Sequence, residues 1–319
     1  WFMAHGGFAT AANIKYYVNF CVTMFNALNK YKPLWLTFNS PAAYAINHYY
    51  RGIRPPAQHS MQTAVEVLGN LLQAHVQAYH AMKAQPDGHH SEIGILHNIL
   101  HLDIWHYWNP LDYLARYLGN KLTHTCVYDF FTTGTFSLYI PGKASYTTTY
   151  TPDACSSLDF IGLNYYSHNY MRFFKPMPAP DEIPTANPQY TIYAEGLYRA
   201  IAELAERVTQ PLEKKLVEKK LGKEIPIYVT ENGIGTDDDT TRATFFKRTL
   251  YALSQAHQRY NVKGYIHWSF MDNYEWGTYS KRYGVYAVDF ATQQRTFKPG
   301  AQHFKDVLHK WTQPQPLHS

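Results

Sequence analysis

Apolar runs rich in strand-forming residues alternate along this chain with longer segments of helical periodicity, and this alternation limits the possible folds more than any other feature. Five runs stand out: "PLWLTFN" (33–39), "EIGILHNI" (92–99), "LDFIGLNYY" (158–166), "IPIYVTEN" (225–232) and "VKGYIHWSF" (262–270). Each run is almost continuously apolar, which is typical of strands that are covered on both faces. The sequence therefore predicts a parallel sheet flanked by helices.

The segments around these runs carry the predicted helices. Apolar residues recur at helical spacing in four of them, 12–28, 63–83, 193–208 and 240–260. Three aspartates at 237–239 precede the last segment, and their side chains are suited to cap its N-terminus. The first helix precedes the first strand, so the first recognisable unit begins with a helix.

All five predicted strands end in polar or aromatic residues: Asn39-Ser40, His97-Asn98, Asn164-Tyr165-Tyr166, Glu231-Asn232 and Trp268-Ser269. In a (β/α)₈ barrel the C-terminal strand ends face one cavity, where active sites are found. Five units are three fewer than closure requires. The sequence thus predicts one domain over 1–319, an α/β TIM barrel that lacks its first three β/α units; an open doubly wound sheet is the alternative.

Bulk properties exclude several classes of protein. No apolar run approaches the length of a membrane span, so an integral membrane protein is not expected. The net charge is +5, and the densest charged run, "EKKLVEKKLGKE" (213–224), mixes both signs and predicts a solvated helix face, not a nucleic-acid surface. The three cysteines are widely spaced, which disfavours disulfides and thiolate metal sites and favours a cytoplasmic location.

Aromatic residues make up 16% of the chain, including 28 tyrosines and seven tryptophans. They are consistent with a tyrosine-rich core, or with a sugar cleft in which flat rings pack against pyranose faces. His97, His101 and His106 recur within ten residues, but no HExxH motif or cysteine accompanies them. We therefore expect structural histidines and no cofactor or metal; a zinc-dependent barrel hydrolase is the competing reading.

Two motifs carry groups able to do chemistry. In "IYVTENG" (227–233), a strand would deliver Glu231 to the rim, where a carboxylate can act as nucleophile, base or metal ligand, or instead pair with an arginine. In "HWSFMDNYEW" (267–276), two tryptophans, a tyrosine and two acids would form a sugar-binding lip or a packed aromatic plug. Glu275 beside Trp276 argues against simple packing, because acids are rarely buried without a partner.

These motifs, taken in order, resemble those of a known family. "TFNSP", "DFIGLNYYS", "YVTENG" and "GYIHWSFMDNYEWGTYSKRYGVYAVDF" are similar to glycoside hydrolase family 1, the β-glucosidase and β-galactosidase family, as is "HGGF" (5–8). The resemblance extends from Trp1 to about Trp311. It implies the last five units of a TIM barrel, and retaining hydrolysis of the O-glycosidic bond in β-glucoside-like substrates.

The resemblance also implies roles for individual residues around the strand ends. Glu231 matches the nucleophile that forms a glycosyl-enzyme, and Tyr166 matches the tyrosine whose hydroxyl contacts that nucleophile. Asn39 matches the asparagine that binds the sugar 2-hydroxyl, and Asn164 lies in the same set of substrate-binding positions. The implied partner is a small β-glycoside or an oligosaccharide.

Residues after the last strand match the part of the family that reads the sugar ring. Trp268 corresponds to the platform beneath the ring, and Glu275 and Trp276 to the pair that binds its distal hydroxyls. Members that act on 6-phosphorylated sugars lack the Glu-Trp pair, so the resemblance implies a non-phosphorylated substrate. The Trp268-Ser269 junction is where the family often has a non-proline cis peptide.

Ser40 departs from the family pattern, in which Asn-Glu-Pro supplies the general acid/base glutamate. A serine hydroxyl does not ionise near neutral pH, and loss of a general acid/base typically costs about 10²–10⁴-fold in rate. Three explanations stay open: an engineered substitution, natural change toward a non-hydrolytic carbohydrate-binding pseudoenzyme, or another carboxylate, such as Asp103, that takes over. Unpaired end strands would also need cover, from a missing N-terminal segment or a complementary chain.

Overall fold

The computed structural model describes residues 1–149, 153–218 and 222–312. These residues form ten strands: β1 (Trp35–Asn39), β2 (Ile93–Ile104), β3 (Thr135–Ile140), β4 (Ala144–Thr149), β5 (Phe160–Arg172), β6 (Lys175–Met177), β7 (Ile227–Asn232), β8 (Val262–His267), β9 (Tyr286–Val288) and β10 (Arg295–Phe297). They form nine α-helices: α1 (Ile14–Leu28), α2 (Pro41–Ala45), α3 (Met61–Lys83), α4 (Pro110–Asn120), α5 (Cys126–Thr133), α6 (Gly196–Leu204), α7 (Gln210–Glu218), α8 (Asp239–His257) and α9 (Gln302–Thr312).

The main sheet has the parallel strand order β1-β2-β5-β7-β8, with β6 antiparallel to β5. Its five parallel strands coincide with the five predicted apolar runs, although β2 and β5 extend several residues further than predicted. The order in the sheet follows the order in the chain. Because a doubly wound sheet reverses its strand order at a switch point, this topology contradicts the doubly wound alternative.

The sheet is curled like the wall of a barrel. Strands β1 and β7 are separated by β2 and β5, so about 14 Å would lie between them in a flat sheet with neighbours about 4.8 Å apart. Yet Asn39 Nδ2, at the end of β1, lies 2.9 Å from Glu231 Oε1 on β7. The fold is therefore of the α/β barrel type, with five parallel strands in the described part of the chain.

Three of the four predicted helices match α1, α3 and α8 closely, and Asp238 caps α8 by accepting hydrogen bonds from two backbone N–H groups. The helix predicted from residue 193 begins later, at Gly196. This glycine packs closely on β5, since an added Cβ would lie 1.8 Å from the Tyr165 hydroxyl. Helix α7 contains the start of the 213–224 charged run; residues 219–221 of that run lie outside the described residues. No helix in the described segments is long and apolar enough to cross a membrane.

One cluster of buried apolar side chains joins helices α3, α5 and α6 to strands β2 and β5. Its members include Leu72, Ile95, Phe131, Leu163 and Ile201, all of them buried. Burying such side chains contributes roughly 1.5–3 kcal/mol each. This packing holds the strands rigidly from outside, so that their C-terminal ends keep a fixed spacing at the rim.

A buried carboxylate ties together three segments at the other end of the sheet. Asp159 accepts hydrogen bonds from Tyr79 (2.9 Å) and from the backbone N–H of Ile93 (2.8 Å), and forms ion pairs with Lys83 (2.7 Å) and Lys223. Burial by itself raises the pKa of Asp159, but hydrogen bonds from the two lysines outweigh it and hold the pKa below its ordinary value. The ionised form is therefore stabilised by folding.

We expect Asp159→Asn to lower the free energy of unfolding by about 3 kcal/mol at neutral pH, because it leaves the charges of two partly buried lysines unpaired. A lowered folded-state pKa contributes stability above the unfolded pKa of about 3.9, and this contribution disappears as pH falls through the lowered value. Urea unfolding at several pH values should show the difference from wild type shrinking in acid. The exposed Glu92→Gln should change stability by less than about 0.5 kcal/mol; equal effects of the two substitutions would contradict the prediction.

Candidate active site

Glu231 lies near the end of β7, where the chain turns away from the sheet. The backbone of Trp268 donates to the carbonyl of Asn232 (2.9 Å), which joins the end of β7 to the segment after β8. Gly233 follows, and an added Cβ there would lie 1.9 Å from the Trp268 carbonyl oxygen, so only glycine permits this close approach. The local sequence thus presents the half-buried Glu231 side chain at the rim.

Both carboxylate oxygens of Glu231 accept hydrogen bonds from other strands. Tyr166 on β5 donates its hydroxyl to Oε2 (2.8 Å), and Asn39 on β1 donates Nδ2 to Oε1 (2.9 Å). Burial, reinforced by the neighbouring Glu231 carboxylate, raises the pKa of Tyr166 well above its ordinary value. The phenol therefore stays protonated and is a donor throughout the physiological range.

The amide of Asn39 is oriented by its neighbours. Its Oδ1 accepts from the Ser40 hydroxyl (2.9 Å) and from Asn164 Nδ2 (3.3 Å), which leaves Nδ2 to donate to Glu231. Asn164 is buried and its own Oδ1 accepts from Thr230 (3.0 Å). A continuous chain of hydrogen bonds therefore runs from β7 through β5 to β1 and back to the Glu231 carboxylate.

Ser40 directly follows β1 and precedes α2. Its backbone has φ 54° and ψ 61°, a left-handed conformation that non-glycine residues rarely adopt. Pro41 then occupies the first position of the helix, where its missing N–H is not needed. The serine hydroxyl points back to the Asn39 side chain, so its role in this geometry is to orient that amide.

Trp268 and Glu275 meet on the other side of the rim. The indole Nε1 of Trp268 donates to Glu275 Oε1 (2.5 Å), and the Trp268-Ser269 peptide is cis, as the resemblance led us to expect. Glu275 is only 5% exposed. Burial raises its pKa; the Trp268 hydrogen bond and the positive charge of Lys281 oppose this shift, and the negative charge of Glu231 adds to it. The carboxyl groups of Glu231 and Glu275 therefore interact electrostatically across the opening.

Trp276 stands apart from this network. Its side chain is 68% exposed, and its ring lies 4.5 Å from the guanidinium carbon of Arg54, in the segment after α2. The structure thus brings together seven of the eight residues singled out from the sequence, and holds the eighth at the edge: Glu231, Tyr166, Asn39, Ser40, Asn164, Trp268 and Glu275, with Trp276 outside.

Two tyrosines of the site were not singled out from the sequence. Tyr190 stacks on the Tyr166 ring (centroids 5.8 Å apart), and Tyr283 contacts its edge (6.1 Å). Tyr283 lies inside the recognised "KRYGVYAVDF" stretch, which could have indicated it. Tyr190 lies in a long connection between β6 and α6, where no strand end or motif marks its position.

Asp103, the other carboxylate considered from the sequence, is already paired with basic side chains. It lies in β2, not in the loop expected from the sequence, and it pairs with Arg199 (2.9 Å) and His168 (2.8 Å). Hydrogen bonds from these partners lower its pKa, although burial opposes the shift. Among the described residues, no cluster of three or more histidine, cysteine, aspartate or glutamate side chains could hold a metal ion.

Comparison of the sequence with known proteins identifies the family of this chain. The model of Glycosyl hydrolase family 1 matches residues 1–312. The 6-phospho-beta-galactosidase of Clostridium acetobutylicum is 28% identical over 354 aligned residues, covering 96% of this chain and 71% of its own length. A protein of the same name from Streptococcus mutans is also 28% identical, covering 95% and 72%.

Solved structures agree with the sequence relatives. The GH1 beta-glucosidase of Exiguobacterium antarcticum superposes with a TM-score of 0.82 at 25% identity, covering 98% of this chain and 73% of its own. A beta-glycosidase from Pyrococcus horikoshii superposes with a TM-score of 0.80 at 26% identity, covering 99% and 72%. With nearly its whole length matched by the family model, and with a curled parallel sheet like that of these enzymes, the chain belongs to Glycosyl hydrolase family 1, a family of glycosidases.

Proposed function

We propose that the chain acts on β-glucoside-like substrates by a retaining double displacement, in which Glu231 is the nucleophile. The observation that carries this proposal is the fixed Glu231 carboxylate, held by the Tyr166 hydroxyl and the Asn39 amide at the rim of the barrel-type sheet. Both donors orient the carboxylate before the sugar binds, which lowers the cost of reaching the attacking geometry. Attack on the anomeric carbon would expel the leaving group and form a glycosyl-enzyme.

The proposed mechanism has no carboxyl group in the general acid/base position. Retaining glycosidases use two carboxyl groups about 5–5.5 Å apart, one for attack and one for proton transfer. In the family motif, Ser40 occupies the position of the second of these carboxyl groups. A hydroxyl group cannot donate and accept a proton near neutral pH as a carboxyl group does. We therefore propose slow turnover, with glycosylation efficient only when the leaving group departs without protonation.

The surroundings of the sugar favour a neutral substrate. Glu275 is a buried carboxyl group that contacts Trp268. In the family, the residue at this position binds hydroxyl groups of the sugar. A phosphate dianion brought close to Glu275 and to Glu231 would meet two carboxyl groups, against one nearby cation, Lys281, in a poorly solvated site. We therefore propose a non-phosphorylated β-glycoside, in contrast to the name carried by the two curated relatives. Trp268 would support the ring, and Trp276 would bind its distal hydroxyls from the edge.

The chain as a single domain over 1–319 would supply part of a barrel. Within the described residues, β1 and β8 have one sheet neighbour each, and the sheet already curls between them. We propose that three further β/α units, from the same polypeptide or from a complementary chain, close the gap. Closure would cover both free edges and exclude water from the sugar site.

A mechanism-based label tests the proposed nucleophile. A 2-fluoro-β-glucoside with an acidic leaving group should add one fluoroglucosyl mass to the protein, because departure of such a group needs little protonation. Peptide mapping is expected to place this mass on the peptide containing Glu231. An unmodified intact mass for the folded chain, or a label on another residue, would contradict the assignment.

A non-hydrolytic carbohydrate-binding protein of the same fold is the second candidate, and Ser40 is the observation that favours it. Such a protein would keep sugar affinity through Trp268 and Glu275 without forming a covalent adduct. Binding without labelling would support this candidate over the hydrolase.

A further inference from the structure

Aromatic side chains crowd a second region, formed by the end of β5 and the segments that follow β2 and β5. We call its members, Trp105, Tyr107, Trp108, Tyr170, Phe173 and Phe174, the aromatic surface. Tyr107 and Trp108 are each 76% exposed, and Phe173 and Phe174 are also exposed. Such a concentration of exposed rings is unusual for a soluble protein and commonly marks a binding site.

The aromatic surface is separate from the site of Glu231. Opposite β2, strand β5 carries one extra residue, since Ile99 pairs with Tyr165 whereas His101 pairs with His168. This bulge reverses the alternation of side chains along β5. Tyr166 therefore faces Glu231, whereas His168 packs on Tyr193 (ring centroids 4.0 Å) on the helix side. Tyr170, two residues beyond His168, lies on that same outer face.

A buried carboxylate holds the two segments of the aromatic surface together. Asp112 in α4 accepts hydrogen bonds from the backbone (3.0 Å) and ring (2.9 Å) of His106, from Asn109 (2.9 Å) and from the backbone of Phe173 (2.8 Å). It is fully buried. Loops fixed in this way present their rings in one arrangement, which reduces the entropy lost when a ligand binds.

The turn between β5 and β6 has an unexpected sequence. Its two central residues, Phe173 and Phe174, have φ values of 45° and 66°. Two-residue hairpin turns with positive φ favour asparagine and glycine, and bulky residues rarely adopt this conformation. Because both rings are exposed, the core does not require them. Conformations of this kind persist at functional sites, where the side chain has a use that offsets the strain.

A cavity of about 290 Å³ adjoins the aromatic surface and indicates the chemistry of its ligand. It is lined by Trp105, Tyr170, Ala179, Pro180, Asp181 and Glu182. The Trp105 and Tyr170 rings are perpendicular (centroids 6.0 Å), and Arg172 lies over Trp105 (5.4 Å) and helps to fix it. The volume is close to the lower limit of about 300 Å³ for small-ligand pockets, which suits one pyranose ring.

We propose that the aromatic surface and its cavity bind a β-linked gluco-oligosaccharide at a second site, independent of the chemistry at Glu231. Equatorial substituents leave flat C–H faces on each β-linked glucose, and these faces match indole and phenyl rings. The carboxylate of Asp181 accepts hydrogen bonds from sugar hydroxyls, whereas Glu182 is held in the cavity wall by His168 (3.0 Å) and Thr191 (2.7 Å). The lining of this cavity carries two carboxylates, against one cation beside it, Arg172 over Trp105, so its charge favours a neutral donor-rich ligand over a phosphate.

Indole resonances of the tryptophans test this site and the catalytic cleft in one experiment. With the full chain labelled with ¹⁵N-tryptophan, titration with cellotetraose should shift the Trp105 and Trp108 signals saturably, whether or not Trp268 and Trp276 respond. Trp108→Ala should weaken binding reported by Trp105 at least about fivefold, whereas Tyr251→Ala, an exposed ring on α8, should leave it unchanged. Because Trp108 is exposed, its loss should not unfold the protein.

The outcomes separate the two sites. Shifts confined to Trp268 and Trp276 would overturn the second site and leave the proposed glycosidase function intact. Shifts confined to Trp105 and Trp108 would support the second site and count against sugar binding near Glu231. A response of Trp105 and Trp108 to phosphatidylcholine vesicles without a response to cellotetraose would also overturn the proposal, because the surface would then bind membrane.

Discussion

Replacing Ser40 with glutamate is expected to raise turnover of an unactivated β-glucoside by about 10²–10⁴-fold, the usual contribution of a general acid/base. The glutamate would protonate the leaving oxygen in the first step and deprotonate water in the second. The side chain of the new glutamate would leave the backbone at the rim, next to Asn39 and across the opening from Glu231. Steady-state hydrolysis of cellobiose, with glucose release measured for wild type and Ser40→Glu, provides the comparison.

Ser40→Gln is the matched control, since glutamine has the length and shape of glutamate but cannot transfer the proton. A gain with both variants would trace the effect to side-chain size, not to acid/base chemistry. The gain should also shrink for aryl glucosides with acidic leaving groups, because their departure needs little protonation. A folded Ser40→Glu protein without any gain would mean that position 40 is not the vacant acid/base position, or that the site requires the further β/α units.

Glu231→Gln is expected to abolish glycosylation, reducing release of an activated aryl leaving group by at least about 10⁴-fold, because an amide oxygen is a poor nucleophile. Sugar affinity should survive, since Trp268 and Glu275 remain in place. Pre-steady-state measurement of the nitrophenol burst gives the rate, and calorimetry with glucose or an iminosugar gives the affinity.

Asp181→Asn offers a control for this experiment, since it also removes one carboxylate but lies at the second cavity, away from Glu231. It should leave the burst unchanged. An undiminished burst in Glu231→Gln would contradict the nucleophile assignment. If wild type and Glu231→Gln bind sugar equally and neither shows a burst, the carbohydrate-binding pseudoenzyme becomes the better description.

Much of the fold could be predicted because each of the five parallel strands has a local signal, whereas the short strands β3, β4, β6, β9 and β10 were not predicted. Near-continuous apolar runs such as 92–99 and 158–166 are covered on both faces, and this requirement is visible in composition alone. The ends of β2 and β5 were less predictable. They run on to Ile104 and Arg172 because each strand pairs with the other beyond the rim, and β6 adds a further partner to β5. Such pairing leaves little trace in either segment.

The chemical groups of the candidate site could also be anticipated, but not their arrangement. Glu231, Tyr166 and Asn39 lie at strand ends that a curled sheet brings within hydrogen-bonding distance. The use of the Ser40 hydroxyl to orient Asn39, and the stacking of Tyr190 on Tyr166, depend on contacts between segments far apart in the chain. No local pattern encodes them.

The sequence by itself determined the alternation of strands and helices and the residues at the strand ends, Ser40 among them. These depend on side-chain chemistry and on periodicities of a few residues. Only the tertiary structure decided that Asp103 pairs with Arg199, that Glu275 is buried against Trp268, and that a bulge turns Tyr170 away from Tyr166. Each of these depends on sheet curvature, register and burial, which are set by the packing of many distant residues at once.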